Sequence, residues 1–208
     1  IECGNQSYRE KVLRRRVTND KLIESFRVIR ESGVPFSINL IIGMPGETRE
    51  LVFETIDLVR RITGYDTLTV SIFTPYRGTV LRDVAVKNGW LDKDTITTHT
   101  TSGSILKMPP PYLSVADIDA LMRVIPLYVY FQKSEWDNIK RAEVNDKKGN
   151  ELLERYSEIY KRKFLKANQY EEKEYMPIGG TGCRSNQLDS YRFVERQLAA
   201  EEIQLLTM

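Results

Sequence analysis

The chain has 208 residues, with 31 basic and 29 acidic side chains, one histidine and two cysteines, and 41% of its residues are apolar. That composition and length suffice to bury a core without staples, which excludes a disordered or disulfide-dependent class, and no apolar run approaches the ~20 residues of a membrane helix. The net charge of +2 argues against a nucleic-acid grip driven by bulk charge, although the stretch from Arg9 to Arg16 is locally positive.

Cys3 and Cys183 lie far apart in the sequence and His99 is the single histidine. Neither a four-ligand zinc site nor a three-cysteine iron–sulfur motif can be written within the chain, so no metal ligand is assigned. A serine triad would have to use His99. Free thiols and the lack of a secretory signal point to the cytoplasm. The first residues, Ile1-Glu2-Cys3-Gly4, read as the end of a strand with no turn ahead of it. A strand needs partners, so the expectation is a piece of a larger protein, cut inside a sheet.

In chain order, Tyr8, Val12 and Leu13 mark a first helix between Asn5 and Arg16. Thr18 reads as the N-cap of a second, in which Leu22, Ile23, Phe26 and Ile29 recur at helical spacing and Gly33 supplies the stop. Pro35 forbids continuation, and the apolar run from Phe36 to Ile42 reads as a buried strand. Gly43-Met44-Pro45-Gly46-Glu47-Thr48 is a tight turn. Thr48 caps a helix carrying Leu51, Val52, Ile56, Val59 and Ile62. Thr67 to Phe73 is the next strand, and Pro75-Tyr76-Arg77-Gly78-Thr79 turns into a short helix capped by Thr79. Alternating strands and helices joined by long connections give parallel strands with crossovers, the α/β pattern.

After about residue 95 the pattern changes. Thr95 to Ser104 is polar, Ile105 to Met108 reads as a short strand, and three prolines follow from Pro109. Ser114 and Asp117 form a capping box for a helix that Pro126 ends or kinks. Helical stretches follow from Ser134 to Glu143 and from Asn150 to Glu174. The expected organisation is therefore a strand-and-helix domain over residues 1–94 and a mostly helical extension over residues 95–208.

Ligands of parallel α/β sheets and barrels bind beyond the carboxyl ends of the strands. Three such ends are readable, at Glu2 to Gln6, Gly43 to Thr48 and Thr74 to Thr79. Strand alternation puts Ser37, Asn39 and Ile41 on one face, toward a cleft or barrel interior, and Ile38, Leu40 and Ile42 on the other, toward helices. Gly43 lacks a Cβ where a planar ring would lie. The same glycines also suit a turn with no ligand, with Thr48 contributing about 1 kcal/mol as a cap.

Taken together, the motifs Ile1 to Gln6, Val12-Leu13-Arg14-Arg15, Gly33-Val34, Ile42 to Thr48 and Pro75 to Thr79 resemble the second half of a radical S-adenosylmethionine (SAM) domain. The nearest branch is the one shared by cobalamin-binding radical SAM enzymes and methylthiotransferases. The resemblance covers about residues 1 to 90. It implies the carboxyl-terminal half of a partial (β/α)6 TIM-like barrel, a fold in which a three-cysteine loop after the first strand holds a [4Fe–4S] cluster that cleaves SAM to a 5′-deoxyadenosyl radical. That loop would precede this chain. By the same resemblance, Glu2 lies near the SAM ribose or methionine portion, Asn39, Ile41 and Gly43 lie against adenine, and Phe73, Thr74 and Pro75 end the strand beside it. Asn39 departs from the family's frequent glycine, and Arg77 stands ahead of Gly78 where Pro-Gly-Thr is more usual. Partners implied are a small-molecule substrate, the missing amino-terminal half, and an electron donor such as flavodoxin or ferredoxin.

The expected function is thus part of a radical SAM enzyme, with cobalamin-dependent methylation as its specific form and the fragment inactive without the cluster cysteines. The alternatives are a methylthiotransferase-like enzyme, which usually adds a small β-barrel RNA-binding domain, and a non-catalytic α/β binding or scaffold module. The remaining residues have bland readings. His99 is a surface histidine, Cys183 a bystander, and Arg14, Arg15 and Arg16 are solvated. Tyr128, Tyr130, Phe131 and Trp136 are packing residues of the extension.

Overall fold

Two strands, β1 (Ser37–Ile42) and β2 (Thr67–Ile72), pair in parallel, with Ser37 opposite Thr67 and Ile42 opposite Ile72. They form the sheet of a computed structural model that describes residues 1–97 and 103–162. Alternation sorts the side chains of β1 as expected. Ile38, Leu40 and Ile42 are each 1% exposed, whereas Ser37 and Asn39 face solvent. The polar face continues across the pair, where the Thr67 hydroxyl donates to Ser37 Oγ at 2.6 Å and the Thr69 hydroxyl donates to Asn39 Oδ1. Parallel strands are usually covered on both faces; here a single face is covered.

Several helices begin where side-chain oxygens can hold their first free N–H groups. Thr18 accepts from Lys21 ahead of α2 (Asn19–Glu31), Thr48 from Leu51 ahead of α3 (Arg49–Arg60), and Thr79 from Arg82 ahead of α4 (Val80–Lys87). Such caps are worth about 1 kcal/mol each. Ser114 and Asp117 form the expected capping box of α5 (Val115–Met122). Between the two strands, α3 buries Val52, Ile56, Leu58 and Val59. The apolar face of α2 is only half-buried, and its Phe26 stacks on Phe36 with ring centroids 5.6 Å apart.

Several expected elements take a different form. Ile1 to Gly4 is not a strand. One backbone bond links it to the sheet, from the Ile1 ammonium to the Asn39 carbonyl at 2.9 Å. The carbonyls that would continue a ladder are taken by side chains, Cys3 O by Arg9 at 2.7 Å and Gly4 O by Asn19 at 2.9 Å. The first helix, α1 (Gln6–Lys11), stops short of Arg16 because Arg14 has φ +57°. Ile105 to Met108 forms no strand, and Lys107 N–H donates to Trp90 O at 2.8 Å. Pro126 opens α6 (Ile125–Tyr130), where its missing N–H falls in a turn that needs no partner. The stretch from Ser134 to Glu143 divides into a 3-10 turn (Lys133–Glu135) and α7 (Trp136–Ala142), and α8 (Lys147–Tyr160) starts earlier than expected.

The segment carrying α6 and α7 docks on α3 through a polar and aromatic junction. Arg49 pairs with Glu143, with Nη1 to Oε2 at 3.0 Å, and the Tyr128 hydroxyl donates to Glu143 Oε1 at 2.5 Å. Phe53 meets Tyr128 edge-on at 4.9 Å and Trp136 at 5.3 Å. Arg60 donates to the carbonyls of Tyr128, Val129 and Phe131. Tyr128 is therefore a packing residue, as expected, with a polar tip that is also bonded. Replacing Tyr128 by Phe leaves Glu143 one donor short and lowers stability by about 1–2 kcal/mol, measurable as a shift of the urea midpoint.

The chain divides into two compact units, Ile1–Leu153 and Glu154–Met208. The change of pattern near residue 95 is one of element type, and the first unit runs through it. In the second unit the described residues, 154–162, are helical. No helix among the described residues is long and apolar enough to cross a membrane. His99, Cys183 and the expected helix beyond residue 162 lie outside the described residues.

Candidate functional site at the ends of the strands

Beyond β1, the loop from Gly43 to Glu47 reverses sharply through two glycines with positive φ, Gly43 at +80° and Gly46 at +78°. Positive φ suits glycine because it has no Cβ to clash. The loop is closed by its own Glu47, which is 1% exposed. Glu47 Oε2 accepts the N–H of Gly43 at 2.5 Å and that of Met44 at 3.2 Å. Burial pushes the Glu47 carboxyl up to about 8, against the opposing pull of those two amides. In the sequence Glu47 reads only as one residue of a polar turn. The available signal was a carboxylate four positions after the first loop glycine, within reach of that glycine's amide.

The loop is also held from outside. Tyr8 donates its hydroxyl to Pro45 O at 2.8 Å. Leu113 N–H donates to Glu47 O at 3.0 Å, and Thr48 forms an antiparallel bridge with Tyr112. Gly46 N–H meets the Met108 sulfur at 3.3 Å. A Cβ on Gly43 would come within 2.9 Å of the Ile118 side chain of α5. Ile118 packs where that Cβ would project, so the glycine also serves packing.

The other expected site residues fall along one edge and one end of the sheet. Asn39 and Ile41 share the open face of β1, opposite Thr69 and Ser71. Glu2, half-buried, sits next to Ile1, which bonds Asn39, and forms an ion pair with Arg15 at 3.0 Å. Phe73 extends the pairing past β2 through its N–H to Ile42 O at 2.8 Å. Thr74 is half-buried and turns its hydroxyl back on Ile72 O, at 3.5 Å. Pro75 is buried, and its carbonyl accepts from Arg82 and Thr97, each at 2.9 Å. The motif residues thus neighbour one another, while the Pro75 carbonyl is already used by the fold.

Among the described residues no group of three or more His, Cys, Asp or Glu side chains could hold a metal ion. Cys3 is completely buried, and burial raises its thiol to about 11, which disfavours a ligating thiolate. These residues do not fit an iron–sulfur cluster. The open face of Asn39, Ile41, Thr69 and Ser71 offers amide, hydroxyl and apolar surface of the kind a nucleoside contacts.

No family model matches the chain. Over 81 residues, 38% of the chain, it is 33% identical to a tRNA-2-methylthio-N(6)-dimethylallyladenosine synthase of Clostridioides difficile (strain 630). Over 68 residues, 32% of the chain, it is 36% identical to the synthase of the same name from Finegoldia magna. The matches span 16% and 14% of those relatives, so the chain corresponds to a small part of their length. The similarity supports a relationship to the radical SAM superfamily. It gives no support to the cobalamin-binding branch.

Proposed function

We propose that the chain is part of a radical SAM enzyme of the methylthiotransferase type, acting on a nucleoside within RNA. The observation that carries this reading is the partial identity to two synthases that modify a tRNA adenosine. A parallel strand pair whose open face and carboxyl end gather Glu2, Asn39, Ile41 and Phe73 is consistent with half of a (β/α) barrel. In this reading SAM supplies the radical chemistry when bound, and the cluster is held by residues outside this chain. The chain's own part is to offer the Asn39 and Ile41 face to adenosine and to hold the β1 loop rigid through Glu47 and Ile118. The fragment alone is inactive.

Cobalamin-dependent methylation stays as a second, narrower reading, favoured by the run of helices from α5 to α8 after the sheet, with no strand among the described residues there. The complete gene product tests the main reading. It should carry three cysteines ahead of this chain, with three and then two residues between them. A complete product without them overturns the reading.

A further inference from the structure

We propose that Lys11, Arg14, Arg15 and Arg16 form a phosphate-contacting rim that grips the backbone of an RNA beside β1. Residues 9 to 16 hold five cations and one acid, Glu10, in a chain whose net charge is only +2. One of the five is not a surface group. Arg9 is 2% exposed, and it donates to Cys3 O at 2.7 Å, to Val17 O, and to Asn19 Oδ1 at 2.8 Å. It ties both ends of the loop to the segment that lies against β1. Arg15 N–H closes the turn on Arg9 O at 3.1 Å, and Arg14 sits at φ +57° between them. The loop therefore presents its cations from a fixed backbone, which lowers the ordering cost of binding.

The four outer cations are exposed, the side chains of Arg15 and Arg16 by 62% and 86%. Their counter-charges are weak. Arg16 reaches Glu10 at 3.6 Å with both side chains in solvent, a contact worth little. Lys11 and Arg14 have no acidic partner at ion-pair distance among the described residues. Arg15 pairs with Glu2 at 3.0 Å, and Ile1 beside it bonds Asn39, so the rim adjoins the proposed nucleoside face. A site for one small phosphate converges buried donors on a point. Exposed cations at near-consecutive positions of a turn instead suit successive phosphates along a strand. The choice of RNA rests on the function proposed above; the phosphate chemistry does not.

The test is anisotropy of a fluorescent RNA hairpin titrated with the full chain between about 50 and 200 mM salt. The triple variant K11A/R14A/R16A, which spares the Glu2 partner, should bind about tenfold or more weakly, and its slope of log K against log salt should be shallower by about 2. Removing the exposed lysines 87, 93 and 107 (K87A/K93A/K107A) should change affinity less than about threefold, and the charge-keeping variant R14K/R16K should bind like the wild type. ATP at equal phosphate concentration should not displace the RNA. Equal losses in both triple variants, full displacement by ATP, or no RNA binding by the wild type would each overturn the proposal. Binding needs no cluster. A full-length protein that fails to cleave SAM but loses RNA with the loop cations removes the functional reading and leaves this one standing, and the reverse result removes this one alone.

Discussion

Arg9→Met unfolds the chain at markedly lower urea, with a loss of about 3–5 kcal/mol. The side chain is buried, and its guanidinium serves three acceptors, Cys3 O, Val17 O and Asn19 Oδ1. Methionine fills a similar volume but donates nothing, so those acceptors lose their partner away from water. Each unsatisfied buried group costs about 1–3 kcal/mol. Asn19, which bonds Gly4 O, loses its own anchor at the same time. The comparison that isolates the effect is Arg14→Met, an exposed neighbour in the same loop, which should stay within about 0.5 kcal/mol of wild type. Equal midpoints for the two variants would show that the Arg9 bonds do not hold the loop.

Stability falls by a few kcal/mol as pH rises from about 4.5 to 8, through Glu47 alone. Its carboxyl is raised from 4.5 to about 8 in the folded chain. Across that window the folded state keeps a proton that the unfolded state has released. Folding therefore binds the extra proton, and each unit of pH removes about 1.4 kcal/mol where the difference is complete. The contribution is fully present below 4.5 and lost once pH passes 8. The Ile1 ammonium is lowered from 8.0 by burial and acts with the opposite sign in the upper part of the range. The difference between wild type and Glu47→Gln is therefore the quantity to measure. Glutamine keeps an oxygen for the amides of Gly43 and Met44 without titrating. Thermal melts at pH 5 and pH 8 should show wild type losing stability relative to Glu47→Gln; parallel curves would show that the buried carboxyl does not titrate with folding.

Short-range features of this fold are written plainly in the sequence. Thr18, Thr48, Thr79 and Ser114 each cap the helix that follows, because a cap joins residues two or three positions apart. The sidedness of β1 follows from alternation in the same way. What is not legible depends on distant partners. Arg9 belongs by composition with the solvated arginines beside it, and only the carbonyls of Cys3 and Val17 make it a buried staple. Gly43 reads as a turn residue at a strand end, and its close approach to Ile118, from a helix beyond the three prolines, depends on a contact far away in sequence. Ile1 to Gly4 has strand composition, but side-chain donors take the carbonyls a ladder would use. The candidate site is likewise half legible. Its motif residues can be found in order along the chain, whereas the buried Glu47 that shapes the loop is visible only once the amides of Gly43 and Met44 are seen to converge on it.

The function rests on a chemical outcome that one assay reads. The full-length protein, reconstituted anaerobically with iron and sulfide and then given SAM and a strong reductant, should turn over SAM to 5′-deoxyadenosine and methionine, detected by mass spectrometry. A colourless protein that yields no 5′-deoxyadenosine would contradict the account and favour a non-catalytic α/β module built on the same turns.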